Sequence, residues 1–308
     1  MRLEIHLFTP AVGLKKYSLR PAMDKLIKKF IDQAIETGKV IHLFNETDDD
    51  GFCEAQINRA FVKDGRTEVA GISIRGLYNP DTKKFRESFY FPYVEGREPY
   101  FNMELSMERQ SDKEAYMVHC NETQKDIAPI FFLRNIVEYL NTYKRKKTIC
   151  ERMVFMSALA VDGKIILPIR KTEEQIAKCN AAAKERNRLI NRALQGDRDA
   201  MDSLTIGDYD TISDICRRIR NEDVYSIVDS SFIPSGLECD VYSVVGNIKE
   251  VTMLKNEMTD EEIYYMSLEC NNVEFDLAIN KEDLLGEPQT GFRFVGRIWL
   301  QGNIFIDE

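Results

Sequence analysis

The sequence predicts an α+β protein: an N-terminal antiparallel sheet with packed helices, a helical middle and a small C-terminal β-barrel of the OB or SH3-like type. Three observations support this prediction. Short alternating apolar runs separated by turn residues fill both ends of the 308-residue chain. Two N-terminal segments carry apolar residues at helical spacing. A capping box opens a polar stretch of helical spacing in the middle. We therefore divide the chain into domains 1–170, 171–222 and 223–308.

The N-terminal domain begins with a helix predicted over Leu19–Thr37, because Pro21 suits a first helical turn and Gly38 suits the position after the last. Turn sequences containing Gly, Pro or Asn separate the strands that follow. These strands are Lys39–Phe44, Phe52–Val62, Thr67–Tyr78, Phe85–Tyr93, Tyr100–Arg109 and Glu114–Cys120. A second helix is predicted over Ile127–Tyr143. A final hairpin is predicted from Arg152–Ala160 and Lys164–Ile169.

The helical middle presents three basic side chains on one predicted helix face. Lys184, Arg188 and Arg192 are spaced by four residues, which places them in a single stripe. The stripe is a candidate site for an anion or for an acidic partner surface. It could also dock against the acidic C-terminal module of the same chain, or be an ordinary solvated face.

The C-terminal module is predicted from a hairpin, Ile263–Ile279, that turns at Asn271–Asn272. Asparagine tolerates positive φ, so the pair suits a two-residue turn of the kind that hairpins favour. That turn pairs Cys270 with Val273 and every second residue beyond them, and this face is entirely apolar. The opposite face pairs Glu269 with Glu274, and like charges there require nearby cations. We expect Arg293 and Arg297 of the last strand to supply them.

The last strand, Phe292–Ile306, provides the candidate partner-binding residues. Alternation places Arg297, Trp299 and Gln301 together on the polar face of the predicted barrel. Exposed tryptophan and arginine side chains are typical of protein-binding hot spots. The alternative is that the helical middle or the N-terminal domain covers Trp299.

Composition excludes several classes of partner. The net charge is −9, and the part from Leu237 to Glu308 contains 15 acidic and 5 basic residues. This balance disfavours binding to nucleic acid or to an anionic membrane surface. No apolar run approaches the roughly 20 residues of a membrane-spanning helix, and we see no signal peptide. Seven scattered cysteines without a CxxC pair favour reduced thiols in the cytoplasm.

Motifs for catalysis and metal binding are missing from the sequence. The three histidines, His6, His42 and His119, show no metal-binding spacing. The acidic run Asp48–Gly51 resembles the start of a calcium loop, but position 12 of that loop would be Ile57 instead of the required glutamate. No phosphate-binding loop or Gly-x-Ser-x-Gly elbow occurs. We therefore expect no catalytic residues, no cofactor and no metal site.

The chain also resembles a known family of bacterial proteins. The string LECNNVEFDLAINKEDLLGEPQTGFRFVGRIWLQGNI and the segments Gly71–Tyr78, Asp162–Pro168 and Glu222–Asp229 carry the resemblance. They are similar to an uncharacterised clostridial family of roughly 300-residue proteins, known only as a domain of unknown function. The resemblance implies a bacterial cytoplasmic origin and assigns no residue a role.

The sequence leaves the function unknown, and two hypotheses compete. The first is a cytoplasmic, non-enzymatic binding or regulatory protein that engages another protein through the C-terminal barrel. The alternative is a small-ligand sensor or an enzyme, with a pocket between the N-terminal sheet and the helical middle. A deep apolar pocket with convergent polar groups would favour the alternative.

Overall fold

The computed structural model describes residues 5–44, 47–101, 104–110, 115–121, 129–146, 152–169, 228–235 and 239–306, with a few positions between 181 and 203. The chain forms two compact units. One comprises Met1–Ile166 and Ser230–Glu308, and the other comprises Leu167–Asp229. Strands make up 54% of the described residues, so the protein is predominantly β. None of the described helices combines the length and the apolar character that crossing a bilayer requires.

The first compact unit contains described helices of two kinds. Short 3-10 helices span Ile5–Val12, Lys15–Tyr17 and Lys281–Asp283, and the α-helices are α1 (Arg20–Thr37) and α2 (Ile136–Lys146). Helix α1 agrees with the prediction, since Pro21 lies in its first turn and Gly38 ends it with a left-handed φ of 68°. Its buried stripe includes Met23, Ile27 and Phe30, which pack into the main core.

Four strands form the first sheet. They are β1 (Ile41–His42), β2 (Cys53–Asp64), β3 (Thr67–Asn79) and β4 (Lys84–Val94), and they pair in sequence order. All three pairings are antiparallel, as the alternating runs predict. Asp48 closes the turn before β2, because its Oδ1 accepts hydrogen bonds from the amides of Asp50 (3.0 Å) and Phe52 (2.7 Å). This acidic run therefore makes a solvated turn.

Eleven strands form the second sheet. They are β5 (Pro99–Phe101), β6 (Glu104–Gln110), β7 (Ala115–Asn121), β8 (Ile130–Leu133), β9 (Arg152–Ile166), β10 (Ser231–Pro234), β11 (Val241–Lys255), β12 (Glu262–Cys270), β13 (Val273–Asn280), β14 (Leu284–Leu285) and β15 (Arg293–Ile306). The main path is β10-β11-β12-β13-β9-β15-β8-β7-β6. Strand β9 pairs with β13 in parallel and with β15 antiparallel, and β11 also pairs with β15.

The predicted fold class is wrong. The C-terminal strands do not make a barrel of their own, because β9 from the predicted N-terminal domain completes their pairing and β15 continues to β8, β7 and β6. Alternation identifies a strand with a buried face, but it does not say which distant strand pairs with it. The fold is predominantly β and not α+β as predicted. The predicted helical middle is not part of the described fold, since nearly all of residues 171–222 lie outside the described positions.

Two further segments differ from the prediction. The predicted helix over Ile127–Tyr143 contains strand β8, whose Phe131, Phe132 and Leu133 are fully buried. In a short apolar run that is buried on both sides, the spacing of apolar residues does not distinguish a strand from a helix. The predicted hairpin after residue 152 is the single strand β9. Gly163, which was predicted to form the turn, lies within this strand. It leaves space for the Phe294 side chain, because a Cβ at position 163 would lie 2.4 Å from the Phe294 ring.

The hairpin of β12 and β13 is confirmed residue by residue. Cys270 pairs with Val273, Glu269 with Glu274 and Tyr264 with Ile279, as the two-residue turn requires. Asn271 and Asn272 have φ values of 49° and 64°. The apolar face is buried throughout the hairpin. Local pattern therefore determined this register, because a slip by one residue would expose every apolar side chain.

The acidic face of this hairpin is neutralised by cations that the sequence argument did not name. Lys249 of β11 forms an ion pair with Glu269. Arg97 binds the buried carboxylate of Asp276 through its backbone amide (2.6 Å), Nε (3.1 Å) and Nη2 (3.0 Å). Burial raises the pKa of Asp276, and Arg97 opposes that shift. The face is therefore a structural ion-pair surface.

Replacing the second turn residue tests the hairpin geometry. We expect Asn272→Val to lower the free energy of unfolding by about 1–2 kcal/mol, because a β-branched residue strains the left-handed conformation. Asn272→Gly should equal or exceed the wild-type stability. Urea unfolding of the three proteins gives the comparison. Equal midpoints for the valine and glycine variants would show that the positive φ contributes nothing.

Strand β15 is covered on both faces. The alternation of polar and apolar residues in its sequence therefore does not identify a solvent-exposed face. Ile298 and Leu300 pack into one core, and Trp299 packs into the other against Phe8, Phe91 and Phe132. The pairing with β9 shifts register between Arg297 and Ile298. Central strands between two layers bury residues of both parities, so alternation alone does not identify a solvent face.

Candidate functional site

A cavity of about 560 Å³ lies beside α2, and we call it the α2 cleft. Three segments line it: residues 40–44, 135–142 and 304–305. Its apolar walls are Val40, Ile41, Phe44, Tyr139, Ile304 and Phe305, and its polar side chains are His42, Asn135, Glu138, Asn141 and Thr142. The volume falls within the range of small-molecule sites, roughly 300–1,000 Å³.

Asn135 fixes the helix to the second sheet. It directly precedes α2, and its side-chain amide makes two hydrogen bonds with the backbone of Ile304 in β15. Nδ2 donates to the carbonyl oxygen (2.8 Å), and Oδ1 accepts from the amide (3.1 Å). The side chain therefore acts as a short extension of the sheet edge, and it holds one wall of the cleft in place.

Asn141 fixes the same helix to the first sheet. Its Nδ2 donates to the carbonyl oxygen of His42 (2.9 Å), and its Oδ1 accepts from the amide of Phe44 (3.0 Å). These bonds satisfy backbone groups at the end of β1, whose described strand partner is β2. Two asparagines on one helix thus connect two different sheets, and the space between the three elements is the cleft.

A partly buried network of charged groups lies at the start of α2. Arg134, which directly precedes Asn135, makes two hydrogen bonds to Glu95: Nη1 to Oε1 (3.2 Å) and Nη2 to Oε2 (2.5 Å). The Arg134 side chain is 4% exposed and the Glu95 side chain is 39% exposed. Arg75 of β3 donates to the carbonyl oxygens of Leu133 and Arg134, both at 2.8 Å. The network fixes where α2 starts.

Glu138 is the carboxylate of the cleft. It lies in the first turn of α2, and its side chain is exposed. Partial desolvation raises the pKa of Glu138, and the nearby side-chain amide of Asn135 opposes the shift. The charged neighbours Glu95 and Arg134 act in opposite directions on it. A carboxylate exposed to a cavity is suited to binding a hydrogen-bond donor or a cation.

His42 supplies the imidazole of the cleft. Its Nδ1 lies 3.2 Å from the carbonyl oxygen of Leu43 and 3.7 Å from Cys53 Sγ. Its ring lies near the rings of Phe44 and Tyr78, with centroid distances of 5.4 and 5.6 Å. The backbone contact favours a proton on Nδ1, which leaves Nε2 to accept a hydrogen bond.

Exposed aromatic side chains gather at the cleft. Phe44, Tyr143 and Phe305 are each 49% exposed. Phe44 and Phe305 line the cavity, and Tyr143 stacks on the lining residue Tyr139 at a centroid distance of 6.1 Å. Exposed aromatic area beside convergent polar groups is typical of binding sites.

The predicted partner-binding residues lie elsewhere, and two of the three are buried. Trp299 is 1% exposed, and its Nε1 donates to Asp240 Oδ2 (2.7 Å). Gln301 is fully buried, and its Nε2 donates to the carbonyl oxygen of Pro92 (2.9 Å). Arg297 is half-buried. Trp299 and Gln301 therefore offer no surface to a partner, and the alternative that another part of the chain covers Trp299 is the observed arrangement.

The predicted basic stripe belongs to the second compact unit. Lys184 lies outside the described residues. Arg188 and Arg192 are exposed and helical. Arg192 binds Asp197 through Nε (2.9 Å) and Nη2 (2.6 Å). The grouping of all three in one stripe stays a prediction. Within the described part of the chain, no cluster of three His, Cys, Asp or Glu side chains could hold a metal ion.

Sequence reasoning missed the cleft because its parts carry no motif. Asn135 and Asn141 interrupt the apolar stripe of a predicted helix, which is the one local signal that they could have given. The sequence predicts a structural role for His42, because no metal-binding spacing links it to another histidine. The approach of residues 40–44 and 304–305 to the same helix depends on the order of strands in two sheets.

One family comparison matches the chain. A family model described as "Domain of unknown function, E. rectale Gene description (DUF3881)" matches residues 10–302. No curated protein and no solved structure matches.

Proposed function

Since the chain belongs to the DUF3881 family of unknown function, we propose from its own geometry that it is a binding protein for a small molecule, which it holds in the α2 cleft. The observation that carries this proposal is the cavity itself. It combines apolar walls with a carboxylate, an imidazole and a hydroxyl, and two asparagines hold its walls to both sheets. Such a cavity can orient a ligand without rearrangement.

Binding is favoured over catalysis by how the polar groups are used. Both asparagine side chains bind backbone groups, and the Thr142 hydroxyl donates to the carbonyl oxygen of Glu138 (3.1 Å). The carboxylate of Glu138 and the imidazole of His42 are the groups that remain for a ligand. Cys53 Sγ lies 3.7 Å from His42 Nδ1, but Cys53 is buried and does not line the cleft, and none of the described lining residues is serine or cysteine.

A cytoplasmic location is part of the same proposal. Cys53 and Cys270 are buried thiols that form no disulfide. Buried thiols are typical of proteins in reducing compartments.

An amide-shift titration tests the proposed function. A panel of single-ring aromatic compounds with neutral, cationic and anionic side chains is added to ¹⁵N-labelled protein. We expect at least one class to shift the amide signals of residues 40–44, 135–142 and 304–305 together. The double variant Phe44→Ala/Phe305→Ala should lose the shifts, because it removes apolar wall from the cleft.

The matched control removes exposed apolar side chains elsewhere. Met253 and Leu285 are 52% and 74% exposed and do not line the cleft. Met253→Ala/Leu285→Ala should bind like the wild type. The proposal fails if no class shifts the cleft signals, or if the control variant weakens binding as much as the cleft variant.

A further inference from the structure

We propose that the α2 cleft selects a ligand with a protonated nitrogen on an apolar or aromatic body, and that Glu138 binds the cationic group. This inference rests on the proposed function and names its ligand class. The cavity, the carboxylate of Glu138 among its described lining residues and the exposed aromatic walls carry it together.

The charge of the cleft is negative. Of the described residues that line the cavity, Glu138 is the one with a carboxylate, and none is lysine or arginine. An anionic ligand would therefore meet a like charge in the cleft. A cationic ligand would meet its counter-ion there.

The charged neighbours do not neutralise Glu138. Among the described residues, Arg134 is the cation near it, and both of its terminal nitrogens already bind Glu95. Those two charges act in opposite directions on Glu138. The Glu138 side chain is exposed at the cleft, so a cation bound there can form a charge-assisted hydrogen bond with its carboxylate.

The walls of the cleft specify the rest of the ligand. Phe44 and Phe305 are half exposed, so each leaves apolar surface in contact with water. The apolar part of a ligand would cover that surface on binding, which is favourable. Aromatic faces also attract cations, so they do not oppose a protonated nitrogen. An apolar body that ends in an amine satisfies both the walls and the carboxylate.

Three compounds of similar shape test the inference: 2-phenylethylamine, 2-phenylethanol and 3-phenylpropionate. We expect the amine to bind at least about tenfold more tightly than the alcohol and the acid at pH 7.5, as a charge-assisted hydrogen bond provides. Glu138→Gln keeps the shape of the side chain and should reduce the ratio between amine and alcohol to about one. Amide-shift titrations give the three dissociation constants.

The pH dependence provides an independent readout. The amine needs the ionised carboxylate, so its affinity should fall as the pH drops through the raised pKa of Glu138. The loss should begin at a higher pH than a glutamate with its ordinary pKa would give. The titratable and charged groups around Glu138 are Glu95, Arg134 and the lining residue His42. Any pH dependence that survives in Glu138→Gln belongs to those groups.

The outcomes separate this inference from the proposed function. If the alcohol or the acid binds in the cleft as tightly as the amine, the ligand class is wrong and the binding function stands. If Glu138→Gln leaves the preference for the amine unchanged, Glu138 is not the group that selects it. If none of the three compounds, nor any compound of the wider panel, shifts the cleft signals, both proposals fail.

Discussion

Trp299→Ala is expected to lower the free energy of unfolding by about 3–5 kcal/mol, which is the range for truncating a large buried aromatic residue. The ring is 1% exposed and contacts the rings of Phe8, Phe91 and Phe132. The variant also leaves Asp240 Oδ2, in a fully buried residue, without its indole donor. Both effects lie in the core between the two sheets, so the loss should be cooperative. Urea unfolding followed by circular dichroism measures it.

Two further variants keep this expectation testable if Trp299→Ala does not fold. Trp299→Phe keeps most of the buried volume and removes the hydrogen bond, so we expect a loss of about 1–3 kcal/mol. Phe305→Ala truncates an aromatic residue of the same strand that is 49% exposed, and it should cost less than about 1 kcal/mol. A Trp299 variant no less stable than Phe305→Ala would contradict the buried position.

Glu95→Gln is expected to destabilise the protein more than Arg134→Met does. The guanidinium is 4% exposed, whereas the carboxylate is 39% exposed. Removing the carboxylate leaves a buried cation without its charge partner, and breaking such a pair costs about 2–4 kcal/mol once partial solvent exposure is allowed for. Removing the guanidinium leaves a carboxylate that water can reach, so we expect a smaller loss of about 1–2 kcal/mol.

The comparison of the two variants is also a test of the cleft. Arg134 directly precedes Asn135, so disruption at this junction should displace the start of α2. We expect faster hydrogen exchange at Ile304, whose amide donates to Asn135. Equal stability losses in the two variants, with unchanged exchange at Ile304, would show that the pair is not the support of the helix.

What the sequence could predict is local in origin. The register of β12 and β13 followed from alternation and from two asparagines that accept positive φ. Helix α1 followed from its stripe and from Gly38. In each case the determining residues lie within a few positions of one another, and the competing arrangement would expose apolar surface.

What the sequence could not predict depends on contacts between distant segments. Strand β9 pairs with β13 and β15, which lie more than a hundred residues later in the chain. Because of this pairing, the C-terminal strands do not form the predicted separate barrel, and Trp299 is buried. The α2 cleft has the same origin, because Asn141 reaches the end of β1 while Asn135 reaches Ile304. An asparagine side chain can hydrogen-bond the backbone of any residue, so the sequence pattern does not reveal its partner.

The most direct test of the central claim is a crystal structure of the protein with 2-phenylethylamine at saturating concentration. The account predicts the phenyl ring against Phe44 and Phe305, with the ammonium within hydrogen-bond distance of the Glu138 carboxylate. A ligand bound at another surface, or a cleft that stays without ligand at saturation, would contradict the assignment of the α2 cleft as the functional site.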